Sequence, residues 1–202
     1  MKEQLVFATN NPHKIEEIRR QLGDRYTFRS LQDIGCTEDI PETETTLEGN
    51  ARLKARHVKS NYGQDCFSED SGLEVAALGN APGVDTAHYA GPQRDAEENN
   101  TKLLSELGDR KDRLARFRTV ICLIQGDTET LFEGVCEGRI ATSPVGHGGF
   151  GYDPVFVPTE GDGRTFAQMK QDEKVRISHR GRAIAKLQEY LKSRSGADRP
   201  TG

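Results

Sequence analysis

Cys66-Phe67-Ser68-Glu69-Asp70-Ser71-Gly72-Leu73-Glu74-Val75 holds the pattern that decides how this chain is organised. An apolar run stops at two acids, a hydroxyl and a glycine follow, and apolar residues resume. Asp and Glu are poor strand residues, so a strand is expected to end here. Adjacent carboxylates repel unless a cation lies between them. Gly72 permits a tight turn beside a ligand. Negative oxygens are thus brought to one point at a strand end, and a hard divalent cation carrying phosphates is the fitting guest. An acidic surface turn is the competing explanation of the pentapeptide.

Outward from this point, strands and helices alternate. Leu5-Val6-Phe7-Ala8 is a short buried strand. Polar Thr9-Asn10-Asn11-Pro12 interrupts it, and Ile15, Ile18 and Leu22 then recur at helical spacing up to Gly23. Residues 26–31 form a second strand. Residues 46–62 form a long helix, with Leu47, Ala51, Ala55, Val58 and Tyr62 on one face. An acidic loop containing Glu38 and Glu42 precedes it. A second long helix spans 94–107, closed by Gly108. Phe117 to Ile124 read as a central strand, apolar on both faces in its later part. Residues 130–140 are its neighbour, with Gly134 and Gly138 marking bulges or close approaches. Val155-Phe156-Val157 is a short strand, and a last helix covers 182–192. Long strands adjoin each other as well as helices, which predicts an α/β fold with a mixed sheet. Residues 1–194 form one domain, and 195–202 have no apolar anchor and form a flexible C-terminal tail.

Composition excludes several classes. The 202 residues suffice for one cored domain. A net charge of -4 gives no ground for non-specific nucleic-acid binding. No segment approaches the ~20 apolar residues of a membrane span, and the N-terminal apolar stretch is too short for a signal peptide. Cys36, Cys66, Cys122 and Cys136 lack C-x-x-C spacing and read as buried free thiols of a cytoplasmic protein, not as a zinc site. His57 and His88 read as structural.

Four further stretches carry chemistry. Thr9-Asn10-Asn11-Pro12-His13-Lys14 lies where a strand meets a helix, a place whose free N–H groups favour phosphate. Asn11 as an ordinary cap with Pro12 at the first helical position competes with that. Glu42 stands ahead of a helix on which Asn50 and Lys54 lie one turn apart. Gly148-Gly149-Phe150-Gly151-Tyr152-Asp153-Pro154 clears bulk around two aromatics able to stack on a base. Lys174 and Ser178-His179-Arg180-Gly181 place cations at a helix start against the dipole, which suggests a ligand.

In this order, these stretches resemble the inosine/xanthosine triphosphate pyrophosphatase family. The resemblance spans residues 4–192. It rests on residues 9–14, Glu42 with Asn50-Ala51 and Lys54-Ala55, Glu69 to Leu73, Ala81-Pro82-Gly83-Val84, Gly149 to Pro154, and Ser178 to Gly181. It implies an elongated mixed β-sheet flanked by helices in two lobes with a central cleft. It also implies a homodimer, a Mg²⁺ requirement, and cleavage of ITP, dITP and XTP to the monophosphate and pyrophosphate, keeping such bases out of DNA and RNA.

By the same resemblance, Asp70 is the general base and a metal partner, and Glu42 is the acidic metal ligand. Lys14 and Lys54 bind phosphates, and Thr9, Asn10, Asn11, Pro12, His13 and Ser71 line phosphates and sugar. Phe150 and Tyr152 sandwich the base, with Gly151 between them. Asp153, Lys174, His179 and Arg180 complete the nucleotide pocket. Asn10 and Glu69 depart from the family pattern, where glycine and aspartate are common, so a metal contact from Glu69 is in doubt. A nucleotide sensor without catalysis and a pyrophosphatase of modified pyrimidine nucleotides remain the rival functions.

Overall fold

The computed structural model of the chain describes residues 3–23 and 26–197. Strand β1 (Glu3–Phe7) hands over to helix α1 (Pro12–Leu22). The Asn11 side chain accepts from the backbone N–H of His13 and Lys14 at 3.0 and 3.4 Å, and Pro12 opens the helix. Gly23 ends it, its N–H donating to Arg19 O. β2 (Tyr26–Arg29) is shorter than expected. α2 (Leu47–Tyr62) begins at Thr46, whose hydroxyl accepts from Gly49 N–H, and ends on left-handed Gly63.

Next come β3 (Cys66–Val75), β4 (Ala81–Gly83), α3 (Ala96–Leu107), β5 (Leu114–Gln125), β6 (Thr128–Ile140), β7 (Phe156–Pro158), α4 (Gln171–Ile177) and α5 (His179–Ala197). Asp95 caps α3 and Gly108 closes it, so the helix starts after Arg94. Helix α4 has no counterpart in the sequence reading. Helix α5 begins earlier and ends later than expected, with Ser178 Oγ accepting from Gly181 N–H at 3.0 Å at its start. It continues through Ala197, past the predicted start of the tail, and residues 198–202 lie outside the described residues.

Strand β3 does not end at its acids. It runs ten residues, each paired antiparallel with β5, including Glu69 with Ile121 and Asp70 with Val120. Strand propensity loses because the β5 ladder satisfies the backbone and each acid meets cations on its own face.

The sheet has seven strands in the order β2-β1-β3-β5-β6-β7, with β4 also on β3. β1 pairs in parallel with β2 and β3, and the other pairings are antiparallel, so the sheet is mixed as expected. Side-chain alternation along β3 and β5 separates two cores in the N-terminal lobe. Phe67, Ile121 and Leu123 pack under α1 and α5. Cys66, Cys122 and Ile124 pack under α2. A third core holds Leu73, Val75, Phe117, Phe156 and Phe166 in the second lobe. Gly134 is a close approach, as predicted: a Cβ there would lie 2.0 Å from His179 O, so the missing side chain lets α5 settle on β6.

Candidate active site

β1 accompanies β3 only at Cys66 and Phe67, and β4 only from Leu73 to Val75. Between those pairings one edge of β3 is open, and the cleft lies there. It is also the end of a parallel strand, where α/β sheets present ligand sites. The cleft has a volume of about 630 Å³. Every site residue expected from the sequence lines it: residues 9–14, Glu42, Lys54, Asp70, Ser71, residues 150–153, Lys174, His179 and Arg180.

On the α2 face, Asn50 Nδ2 donates to Asp70 Oδ2 at 3.2 Å, and Lys54 Nζ donates to Asp70 Oδ1 at 3.4 Å and to Glu42 Oε1. Asn50 Oδ1 accepts from Glu44 N–H at 3.0 Å, fastening the acidic loop to the helix. Burial lifts the Asp70 carboxyl above its ordinary value, against the pull of Lys54 and Lys14. Burial would likewise raise Glu42, but Lys54 outweighs it and holds Glu42 low. Two carboxylates therefore converge on one ammonium. Their all-oxygen donor set suits a hard cation such as Mg²⁺, so the residues fit the metal that the resemblance implies.

The opposite face of β3 carries Glu69, which does not join this group. Arg180 Nε and Nη2 donate to its two oxygens at 2.8 and 3.1 Å, and Lys14 Nζ lies 2.8 Å away. The pair of acids is thus not one converging patch, and the doubt over a metal contact from Glu69 gains a reason. The chain of charges continues. Arg180 Nη1 donates to Glu17 Oε2 at 2.6 Å, and Lys174 bridges Glu17 at 3.2 Å and Asp153 at 2.7 Å. Burial would raise the carboxyls of Glu17 and Glu69, yet Arg180 and its neighbours hold both low. Asp153 is held high by burial despite Lys174. Four of the guanidinium's contacts are spent on Glu69, Glu17 and Ser71, leaving about one N–H of Arg180 for a ligand.

Phe150 and Tyr152 both line the cleft, in different settings. Tyr152 is 3% exposed and its hydroxyl donates to Thr86 O at 2.8 Å. Phe150 instead faces His13, ring centroids 5.1 Å apart and 9° from parallel. Phe150 is aimed by its own N–H, which donates to Asp153 Oδ2 at 2.9 Å. Gly149 makes that possible, with φ of 72° and Asp153 Oδ2 1.9 Å from where a Cβ would stand. His179 stacks on Phe117 at 4.5 Å, and its buried Nδ1 has no hydrogen-bond partner in the structure. Burial pushes His179 well below its usual value, and Arg180 and Lys174 add to this, so the ring is neutral.

Thr9 Oγ1 accepts from Asn11 N–H at 3.2 Å. Asn11 already occupies the amides of His13 and Lys14, so those two N–H groups are not free for an anion. Ser71 Oγ shares a 2.7 Å hydrogen bond with Thr119 Oγ1. Sequence reasoning missed Glu17 and Arg94. Glu17 lies one helical turn after Lys14, the only signal available. Arg94 has a left-handed φ of 56° and sits in the cleft wall near Asp39.

A seven-stranded mixed sheet with a charged cleft at an open strand edge defines an α/β protein with a polar small-molecule site. The Ham1 family profile matches residues 5–190. A dITP/XTP pyrophosphatase of Flavobacterium psychrophilum is 52% identical over 190 residues, covering 94% of this chain and 100% of that protein. One from Bacillus subtilis is 43% identical, covering 96% of this chain and 98% of its own. The structure of the Staphylococcus aureus Ham1 protein superposes with a TM-score of 0.88 at 36% identity, covering 95% of this chain and 100% of that one. This chain belongs to the Ham1 family.

Proposed function

We propose that the cleft hydrolyses ITP, dITP and XTP to the monophosphate and pyrophosphate, removing them from the nucleotide pool. The observation that carries this is Asp70, a buried carboxylate held by Asn50 and Lys54 beside Glu42, at the open edge of β3. Lys14 and Lys54, both in the cleft wall, would bind triphosphate oxygens and counter the charge that grows on the leaving pyrophosphate. Asp70 accepts the proton of the attacking water, and its raised proton affinity makes it a better base than an ordinary aspartate. Glu42 and Asp70 would hold Mg²⁺, which when bound polarises phosphoryl oxygens.

Base choice falls to His179 and Arg180. A neutral imidazole protonated at Nδ1, with the remaining Arg180 N–H, meets the 6-oxo group of hypoxanthine or xanthine. Adenine presents an amino group there and leaves buried donors unpaired, at about 1–3 kcal/mol each. The stacked Phe150–His13 pair would offer an outer aromatic face to the base. A homodimer is part of this proposal on the resemblance alone. A cytoplasmic setting is supported by four free, buried cysteines. No helix among the described residues is long and apolar enough to cross a membrane.

The test is pyrophosphate release with Mg²⁺ from ITP, XTP, GTP, ATP and dTTP in parallel. Fast release from ITP and XTP alone is expected. Release from all five equally would remove His179 and Arg180 from base selection, and binding of ITP without release would make the protein a sensor.

A further inference from the structure

Outside the cleft, three metal-ligating side chains of different chemistry meet. Cys36 follows a 3-10 turn at Gln32–Ile34, Glu38 lies two residues on, and His57 projects from α2. The Cys36 sulfur, a Glu38 oxygen and a His57 ring nitrogen lie within 4.8 Å of one another. Glu38 Oε1 is 2.9 Å from His57 Nε2. The Tyr62 hydroxyl donates to Glu38, lying 2.9 and 3.0 Å from its two oxygens. None of the three ligating residues lines the cleft.

We propose that Cys36, Glu38 and His57 bind a zinc ion, against the sequence reading of Cys36 as a plain thiol and His57 as structural, because the fold brings together ligands that no sequence spacing pairs. The set mixes thiolate, imidazole and carboxylate, which suits borderline-soft Zn²⁺ and not the hard Mg²⁺ of the cleft. Bonds of about 2.0–2.3 Å imply ligand edges of roughly 3.3–3.7 Å, so the triangle closes by rotamer adjustments of about an ångström. On binding, Cys36 releases its thiol proton to solvent and His57 coordinates through Nε2. Asn61 Nδ2 stands 3.2 Å from His57 Nδ1 in the structure, and a flip of that amide on zinc binding would bring its Oδ1 round to accept the Nδ1 proton that coordination through Nε2 requires. Glu38 projects into solvent, and water fills the fourth position.

Asp39 and Glu42, next along the same loop, reach the cleft. A zinc ion at its base would staple that loop to α2, which carries Asn50 and Lys54, and so would position Glu42.

The experiment titrates the full chain with Zn²⁺ alone, in excess Mg²⁺ and without nucleotide, against a chromophoric chelator. Cobalt substitution provides a thiolate-to-metal absorption band. One zinc per chain is expected, with the cobalt–thiolate band lost in Cys36→Ser and affinity reduced tenfold or more in Glu38→Gln and in His57→Gln. Glu42→Gln, at the proposed magnesium site, keeps both signals. Absence of the band in the parent protein, or zinc affinity unchanged in Cys36→Ser and Glu38→Gln, would overturn the proposal. Glu38→Gln alters an exposed side chain and guards against misfolding of the cysteine variant. No outcome depends on the nucleotide chemistry proposed above.

Discussion

Glu69 and Asp70 are consecutive residues of β3 that face opposite sides of the sheet. Glu69 accepts the fork of Arg180 from α5, and Asp70 accepts Asn50 and Lys54 from α2. Strand alternation separates an acid paired with Arg180 from the proposed base by a single peptide unit. Their proton affinities diverge accordingly, Glu69 held low by Arg180 despite burial and Asp70 held high by burial.

Asp70→Asn should abolish turnover, by a factor of about 10²–10⁴ for loss of a positioned base. Its thermal unfolding midpoint should equal or exceed that of the parent, since a charge disfavoured by burial is removed. Pyrophosphate release and a melting curve on one preparation decide it. Parent-like turnover would exclude Asp70 as the base.

Arg180→Ala should damage the fold as well as base selection. It takes the guanidinium from Glu17 and Glu69, both buried, leaving them only Lys174 and Lys14 as cations, and removing one partner of a buried pair costs up to about 3–5 kcal/mol. A urea titration should show the loss, and Glu17→Gln combined with Arg180→Ala should recover part of it. An Arg180→Ala protein with an unchanged midpoint would show that the guanidinium belongs to the ligand.

Acid should weaken the protein through Glu17 and Glu69. Both have folded-state values below their unfolded ones, so their contribution is complete above the unfolded range near 4.3 and is lost as pH falls through the folded values. Asp70 and Asp153 work in the opposite sense, since burial raises both. The discriminating measurement is therefore a difference: unfolding midpoint against pH for Glu69→Gln should be flatter on the acid side than for the parent.

His13→Ala should raise KM for ITP more than it lowers kcat. His13 is stacked on Phe150, centroids 5.1 Å apart, and touches no proposed reacting group. Loss of one stacking surface is worth about 1–3 kcal/mol, or roughly 5- to 150-fold in KM. Steady-state kinetics check it, and a fall in kcat alone would place His13 elsewhere.

Much of this was legible locally. Asn11 and Pro12 at the start of α1, Thr46 at the start of α2 and the glycines that close both helices are signals within one turn of sequence. The cleft residues were legible because polar and glycine-rich stretches interrupt buried elements. What escaped depends on distant partners. Nothing near Glu69 announces Arg180, 111 residues away, which makes an acid tolerable inside a strand. The stacking of Phe150 on His13 is set by how α1 meets the 150–153 turn. The short helix α4 lies between two capped turns whose apolar content is too small to show a period.

β3 and β5 run unbroken from one lobe's core to the other's, hydrogen-bonded along all ten residues of β3. The lobes therefore have no loop to swing on along this spine. Any change in cleft width must be taken up as twist in two coupled strands, which resist it along their whole ladder. The cleft is sprung like a torsion bar, and Asp70, sitting on the bar where it is unsupported at one edge, turns with it. If Asp70 is the base proposed above, grip on the substrate and aim of that base are one mechanical coordinate.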